Sequence, residues 1–340
     1  MSTFIIAEAG ANHDRKIEQA LDLIDIAFNS GADAVKFQTY SSETLFSKNT
    51  PDIAGYKNLN KLIKDIELPR SWQRDLKKHC DDVGIEFMST PFDEKAVEEL
   101  VGLGVKRLKI SGFESTDFRF VEMVASAKLP LIISLGIGFP MNYLGKIFEI
   151  SEKYGNDLTL LHCNNAYPTP PEDINLGAIK SLSLDSRFKT GLSDHTMSPL
   201  TPALAVAAGA EVIEKHFTTS RNLTGPDHSF ALEPDELKKM VEYVRFAERV
   251  IGHKTSRFTD SEKKFKKARR AVVAKTNIKS GEIFSTKNLT TKRPYPEGSV
   301  PAINFFGILG HSADSDIKED TQVMKAQVKS YYESTALRRP

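Results

Sequence analysis

Cysteine, tryptophan and a surplus of either charge are what this 340-residue sequence has least of. Its two cysteines, Cys80 and Cys163, cannot build a disulfide framework and lack zinc-ribbon spacing, which predicts reduced thiols in a cytoplasmic protein. Forty-six basic residues stand against forty-five acidic ones, a net charge of +1, so no global field recruits nucleic acid or a charged membrane. No apolar run approaches the ~20 residues of a membrane span. The opening MSTFIIAEAG has no basic segment and only a short apolar run, so a secretory leader is not expected. Internal repeats and low-complexity tracts are missing too. A chain of this length buries roughly three-quarters of its unfolded surface and needs no covalent staples.

What is present is a rhythm. Over the first 255 residues, short β-branched runs alternate with longer amphipathic ones. The spacing predicts strands at Phe4–Gly10, Ala34–Tyr40, Ile85–Phe92, Arg107–Gly112, Pro130–Gly136, Leu158–Asn164, Lys189–Asp194 and Val212–Phe217. Near-continuous apolar runs suit parallel strands covered on both faces. Between them the periodicity is helical. Ile17, Ala20, Leu21, Ile24 and Ala27 form one stripe with Gly31 as a stop; Leu237, Met240, Val241, Val244 and Ala247 form the last, with Pro234 near its start and Gly252 at its end. Eight strand–helix repeats in about 250 residues predict a TIM (β/α)8 barrel. A doubly wound open sheet is disfavoured because no glycine-rich phosphate loop follows the first strand.

Composition shifts after Gly252. Residues 254–270 carry a dense basic run, read as a solvated linker or helix; it lacks the interleaved aromatics of a nucleic-acid surface. Residues 271–333 form a second, small β-rich unit, with AVVAKTNI as a strand, KSGE as its turn and short pieces punctuated by RPYPEGSVP, Gly307 and Gly310. The predicted organisation is therefore a barrel over 1–253, a linker over 254–270 and the small unit over 271–333.

In such a barrel the active site lies at the C-terminal ends of the strands, and polar residues crowd there. They are Glu8 with Asn12 and His13, Lys36 and Gln38, Ser89 and Thr90, Lys109, Ser111 and Glu114, Ser134, Asn164, Asn165 and Tyr167, Ser193, Asp194 and His195, and Glu214 and His216. A buried polar group without a partner costs a few kcal/mol, so convergence from all eight runs points to function. Lys36 and Lys109, with Thr90, Asn165 and Ser193, suit an anion of high charge such as a phosphate plus a carboxylate; a Schiff-base lysine is the rival reading. His195 and His216 end adjacent strands ~4.8 Å apart and are placed to share a metal ion or to be core histidines. Glu8 and Glu114 are acid/base groups, hydroxyl acceptors or salt-bridge partners of the lysines. His162 is expected to be packed, His79 and His253 solvated, and Trp72, after LPRS, to sit at a helix start.

These residues resemble the sialic acid synthases. EAGANHD at 8–14, VKFQT at 35–39, STPFD at 89–93, LHCNNAYPTP at 161–170, GLSDHT at 191–196, EKHFT at 214–218 and GPDHSFALEPDEL at 225–237 follow that family's motifs in order. The C-terminal stretch is similar to its antifreeze-like SAF domain, a β-clip fold. The resemblance implies condensation of phosphoenolpyruvate with an N-acylated hexosamine, N-acetylmannosamine or a related diacetamido sugar, to a nine-carbon 2-keto-3-deoxy acid and phosphate. It implies His195 and His216 as ligands of a divalent metal, Mn2+ or else Mg2+ or Co2+. It places Lys36, Thr90, Lys109, Asn165 and Ser193 on phosphoenolpyruvate, and Glu8, Gln38, Tyr167 and Asp227 around the sugar. Glu114 matches the family's carboxylate five residues after the strand-four lysine, and Glu8, Glu114, Lys36 and Lys109 form the catalytic set. Arg293 would reach the N-acyl group within a domain-swapped homodimer. Two stretches depart from the usual pattern: Lys109-Ile-Ser-Gly-Phe-Glu114 where the family reads K-I-G-S-G-E/D, and Ser134-Leu-Gly-Ile137 where it reads S-T-G-M. Another phosphoenolpyruvate-dependent aldulosonate synthase, a Schiff-base pyruvate aldolase and a non-catalytic carbohydrate-binding protein are the alternatives.

Overall fold

A computed structural model of the chain describes residues 2–53, 55–185, 187–252 and 258–331. The chain divides into two compact units, Met1–Gly252 and His253–Pro340. His253 and residues 254–257 of the expected linker lie outside the described residues.

The first unit holds eight parallel strands: β1 (Phe4–Glu8), β2 (Ala34–Thr39), β3 (Glu86–Pro91), β4 (Leu108–Ile110), β5 (Leu131–Leu135), β6 (Leu158–Cys163), β7 (Lys189–Asp194) and β8 (Val212–His216). Helix α1 (Ile17–Asn29) follows β1. Three helices follow β2: α2 (Ser42–Leu45), α3 (Leu59–Ile66) and α4 (Gln73–Val83). Then α5 (Glu94–Gly102), α6 (Phe118–Ala125), α7 (Leu144–Tyr154), α8 (Gly177–Leu182), α9 (Thr201–Ala207) and α10 (Pro234–Ile251) follow β3 to β8 in turn. The strand order is β3-β2-β1-β8-β7-β6-β5-β4, with β4 packed beside β3, so the sheet curls into a near-closed barrel. The first strand pairs with both the second and the eighth. That pairing excludes the doubly wound sheet.

Helix ends follow local chemistry. Asp93 caps α5 by accepting the Ala96 N–H at 2.8 Å, and Asp117 caps α6 through the Phe120 N–H at 3.1 Å; such caps contribute about 1 kcal/mol each. The aspartate of STPFD is thus a structural residue. Glu233 and Glu236 form a reciprocal capping box at α10, with Pro234 in its first turn. This helix buries Leu237, Met240, Val241, Val244 and Ala247, the stripe read from the sequence. The α1 face is rotated slightly: Ala20, Leu23, Ile24 and Ala27 are buried, while Ile17 and Leu21 sit at its margin.

Alternation along the strands positions the site. Ile6, Ala34, Met88, Ile132, Leu161 and Val212 point into the barrel and form an apolar plug. Two residues further along each of those strands, on the same face, come Glu8, Lys36, Thr90, Ser134, Cys163 and Glu214. A polar layer therefore rests directly on the plug. The residues between them face outward into the core shared with the helices, as Leu192 and Ile213 do.

In the second unit Asp260–Ala268 is an exposed 3-10 helix, opened by a capping box between Thr259 and Glu262. The expected strand AVVAKTNI is shorter than its sequence suggests. Strand β9 (Ala271–Ala274) pairs antiparallel with β10 (Leu289–Lys292). Beyond Ala274 the chain changes partners: the Lys275 N–H donates to the Asn288 carbonyl at 2.7 Å, and Ile278 bridges to Ile317. KSGE does turn, the Glu282 N–H closing on the Lys279 carbonyl at 2.9 Å. Further single bridges surround a core of Val272, Ile278, Phe284, Leu289, Val300 and Val323. Among the described residues no helix is long and apolar enough to cross a membrane.

Candidate active site

A cavity opens above the polar layer. Glu8, Lys36, Gln38, Thr90, Lys109, Asn165, Tyr167, Ser193, His195 and His216 all line it, as their positions at the strand ends predict, together with Ser111, Ser134, Cys163 and Glu214. Three expected residues stand elsewhere. Glu114 lies behind Ser111, whose hydroxyl donates to its carboxylate; it makes no ion pair with either lysine among the described contacts. Asp227 accepts the Ala11 N–H at 3.0 Å and approaches His216 Nδ1 to 4.0 Å. Arg293 belongs to the second unit and is exposed.

The floor is a buried charge cluster. Lys36 Nζ lies 2.7 Å from Glu8 Oε2 and 3.7 Å from Glu214, and it donates to Thr90 Oγ1 at 2.8 Å. Lys109 Nζ lies 3.5 Å from Glu214 and donates to the Ile110 carbonyl at 3.1 Å. Gln38 donates to Glu8 at 2.7 Å, and Ser193 to Glu214 at 3.2 Å. Glu214, placed at the mouth by its position on the last strand but given no role by the sequence, is the counter-ion of both lysines. In the run Glu214-Lys215-His216 the first and third residues face inward, as their strand-end positions predict, and Lys215 does not.

Burial and charge oppose one another here. Burial pushes Glu8 up to about 7 despite its contact with Lys36. Burial alone would raise Glu214 too, but the charges of Lys109 and Lys36 hold it below the ordinary carboxylate range. Lys36 is raised because Glu214 and Glu8 outweigh its burial. Lys109 is lowered by burial, which the attraction of Glu214 only partly offsets. Burial also raises Glu114 and Asp227. Cys163, on the wall, is pushed up to about 12 by burial and is an inert thiol at neutral pH.

The opposite wall carries the two histidines, their ring centres 5.4 Å apart. His195 Nδ1 sits 2.6 Å from the Asn164 carbonyl. A carbonyl only accepts, so Nδ1 carries the proton and Nε2 keeps its lone pair. Burial pushes His195 down to about 4, and burial with the neighbouring His195 holds His216 well below its ordinary value. Both imidazoles are therefore neutral. Tyr167 lies over His195 at 4.3 Å and against Phe230 at 5.2 Å, and its hydroxyl accepts from Asn165 Nδ2 at 3.1 Å. Phe230, in the SFAL stretch, adds an aromatic face 5.1 Å from His216 that the sequence reading did not single out.

Two close approaches explain the glycines of this mouth. A Cβ on Gly10, whose φ is +53°, would lie 2.5 Å from Asp227 Oδ2 and 3.2 Å from the His216 ring. Gly112 and Gly136, in the two stretches that depart from the resemblance, pack against each other and against Asn165 Oδ1, which would lie 2.7 and 1.9 Å from their added Cβ atoms. Asn165 Oδ1 is instead free to accept the Ile137 N–H at 3.2 Å. Among the described residues Ser134 Oγ and His216 Nδ1 are buried without a hydrogen-bond partner, and Glu214 Oε2 has only the Lys36 ammonium at 3.7 Å. Such atoms are costly unless a ligand meets them. Among the described residues no group of three or more His, Cys, Asp or Glu is arranged to hold a metal ion; His195 and His216 stand as a pair in the mouth, with Glu8 and Glu214 engaged by the lysines.

Outside the cavity, His162 Nε2 meets the Ile174 carbonyl at 2.8 Å and is packed, whereas His79 pairs with Asp25 at 2.7 Å instead of standing free in solvent. Trp72 precedes α4 and meets His13 edge-on at 6.4 Å.

Residues 23–256 match the NeuB family, and residues 269–329 match the SAF domain. The N,N'-diacetyllegionaminic acid synthase of Legionella pneumophila is 40% identical over 307 residues, covering 86% of each chain. The pseudaminic acid synthase of Campylobacter jejuni (serotype O:23/36) is 38% identical over 323 residues, covering 93% of each. The crystal structure of an N-acetylneuraminic acid synthetase from Leptospira borgpetersenii, in complex with citrate, superposes with a TM-score of 0.73 at 36% identity, over 78% of this chain and 90% of that one.

Proposed function

Because this chain belongs to the NeuB family and carries a C-terminal SAF domain, we propose that it condenses phosphoenolpyruvate with an N-acylated hexosamine. N-acetylmannosamine or a related diacetamido sugar is the acceptor, and the products are a nine-carbon 2-keto-3-deoxy acid and phosphate. The observation that carries this reading is the convergence of Lys36, Lys109 and the unpartnered Ser134 hydroxyl on one side of a barrel mouth whose other side holds two neutral histidines.

In this reading Lys36 and Lys109, with Thr90, Asn165 and Ser193, bind the phosphate and carboxylate of phosphoenolpyruvate. Glu8, Gln38, Tyr167 and Asp227 hold the open-chain sugar, so that C3 of phosphoenolpyruvate lies against the aldehyde carbon. Sharing one mouth supplies the proximity that a bimolecular reaction lacks. C3 attacks the aldehyde, and positive character develops at C2 beside Glu8 and Glu214. Glu8, half-protonated near pH 7, is suited to deliver a proton to the new alkoxide. Glu114 does not line the cavity, but Ser111 does and donates to it; the proton of the water that adds at C2 passes through the Ser111 hydroxyl to Glu114, whose basicity burial raises. Phosphate leaves by C–O cleavage as the C2 hydroxyl becomes the ketone and passes its proton to the departing phosphate, whose remaining charge is met by the two lysines.

The residues present fit a divalent cation: His195 keeps Nε2 unprotonated, and His216 Nδ1 is buried without a partner. Mn2+, or Mg2+ or Co2+ in its place, supplies Lewis-acid polarisation of the aldehyde oxygen when bound there. The partner subunit's Arg293 reads the N-acyl group in a domain-swapped homodimer, and we place the enzyme in the cytoplasm.

The test is turnover. Enzyme, phosphoenolpyruvate, Mn2+ and each candidate sugar are mixed, and phosphate release and the 2-keto-3-deoxy acid are followed by mass spectrometry. Sugar-dependent release that stops with a chelator is expected; no product with any sugar from folded, metal-loaded protein refutes the proposal. The lowered basicity of Lys109 favours one second reading, an imine-forming pyruvate aldolase. Borohydride in the presence of pyruvate would then trap a covalent adduct on Lys109, and the synthase reading predicts none.

A further inference from the structure

Behind the wall that carries the two histidines lies a second buried ion pair that the reaction does not touch. Leu192 and Ile213 face the outer core while Val212 faces the plug. Counting onward by twos puts Asp194 and Lys215 on the outer face of β7 and β8, where they are register partners. Neither lines the cavity, although Ser193, His195, Glu214 and His216 on either side of them all do. Lys215 Nζ lies 2.7 Å from Asp194 Oδ2 and donates to the Thr196 carbonyl and, at 3.3 Å, to Thr196 Oγ1. Asp194 Oδ1 accepts the Thr196 N–H at 2.9 Å, and Thr196 Oγ1 reaches Thr201 at the start of α9 at 3.2 Å. Both side chains of the pair are fully buried, 1% and 0% exposed.

A pair like this adds little net stability, because desolvation of two charges cancels most of their attraction and apolar side chains of the same volume would fill the space as well. What it does supply is a fixed geometry. One ammonium grips the residue before His195 and the residue after it, and that ammonium belongs to the residue before His216. The network therefore ties the backbone on both sides of one imidazole to the strand end that bears the other. Metal affinity elsewhere depends on groups that orient the ligating histidines without touching the metal.

We propose that Asp194, Thr196 and Lys215 are positioning residues that set how His195 and His216 face one another, and so fix their affinity for a divalent cation. This rests on the metal reading above. The assay is Co2+ titration of the full-length, chelator-stripped protein, read by calorimetry and by the d–d absorption of the bound ion. Wild type should bind, and His195→Ala should not. The double variant Asp194→Asn/Lys215→Met removes both charges together and leaves none uncompensated. Folded by circular dichroism, it should bind Co2+ at least about ten-fold more weakly, with an altered d–d band. Its affinity for phosphoenolpyruvate, which meets Lys36 and Lys109 on the other face, should stay within about two-fold. Should the double variant not fold, Lys215→Arg takes its place with the same readouts, since it keeps the charge but displaces the donor that reaches the Thr196 carbonyl. Unchanged Co2+ affinity and spectrum in a folded variant overturn the proposal alone, and so do equal losses for Co2+ and phosphoenolpyruvate, which would mark general loosening. A wild type that binds no Co2+, or binds it equally after His195→Ala, overturns the proposal together with the metal reading.

Discussion

Replacing Glu214 by glutamine isolates the charge balance on which the candidate site depends. Its carboxylate stands 3.5 Å from Lys109 and 3.7 Å from Lys36. At an effective dielectric of ~20, each pair has a gross attraction of about 5 kcal/mol. Lys36 keeps Glu8 at 2.7 Å after the change, but among the described residues Lys109 has no other carboxylate in ion-pair contact and is left with neutral acceptors, the Ile110 carbonyl and the new amide. Breaking a buried pair from one side costs about 3–5 kcal/mol because the remaining charge is uncompensated. For a domain of this size each kcal/mol moves the midpoint by about 2–4 °C, so the barrel transition should fall by about 6–20 °C. On the proposed reading phosphoenolpyruvate brings anionic groups to the same two lysines, so it should raise the variant's midpoint more than the wild type's. Calorimetric unfolding with and without phosphoenolpyruvate reads both effects. A fall below about 2 °C would refute Glu214 as the principal counter-ion of Lys109. A large fall that phosphoenolpyruvate does not preferentially reverse would place that ligand away from the lysines.

Glu8 titrates near 7 when folded but at its ordinary value when unfolded. Between about 4.5 and about 7 the native state therefore holds a proton that the unfolded chain has released, and stability falls by up to about 1.4 kcal/mol per pH unit as pH rises. Denaturant unfolding across that window should show this slope, and Glu8→Gln should flatten it; an unchanged slope would count against a raised Glu8. Gly10→Ala drives a Cβ to within 2.5 Å of Asp227 Oδ2 at a φ of +53°. It should cost about 1–3 kcal/mol and raise KM for the sugar more than KM for phosphoenolpyruvate; a silent substitution would show that the loop yields freely. His228, fully buried, meets Thr218 Oγ1 at 2.6 Å and Asp14 Oδ1 at 2.9 Å and is the chain neighbour of Asp227. His228→Ala should therefore raise the sugar KM several-fold with the phosphoenolpyruvate KM unchanged, and steady-state kinetics showing equal changes in both would remove Asp227 from the sugar subsite.

Periodicity made most of the barrel legible. Each expected strand ends within two residues of the observed one, and the buried face of α10 is the stripe of its apolar residues. This follows because strands covered on both faces carry a continuous apolar signal, and a long helix repeats its stripe often enough to be counted. The second unit was harder. Its observed strands are four residues long and its remaining pairings are single bridges between distant residues, such as Ile278 with Ile317. No local pattern encodes partners that far apart. The site was legible as a set of residue types at strand ends, because the barrel forces those ends together. The packing that turns them to the cavity was not, and the run Glu214-Lys215-His216 shows why. Three ionisable residues in a row carry no hydrophobic alternation from which to read a face. The parity of the strand has to come from Val212 below, and Val212 is known to point inward only once it is seen packed with Ile6, Ala34 and Leu161. With that parity fixed, the three charges separate into three roles. Glu214 balances the lysines, Lys215 locks two strands from behind, and His216 faces the cavity. A single-residue slip in register would exchange the buried lysine with the histidine and leave both without partners. The fold and the chemistry of this mouth are therefore specified by the same apolar residues beneath it.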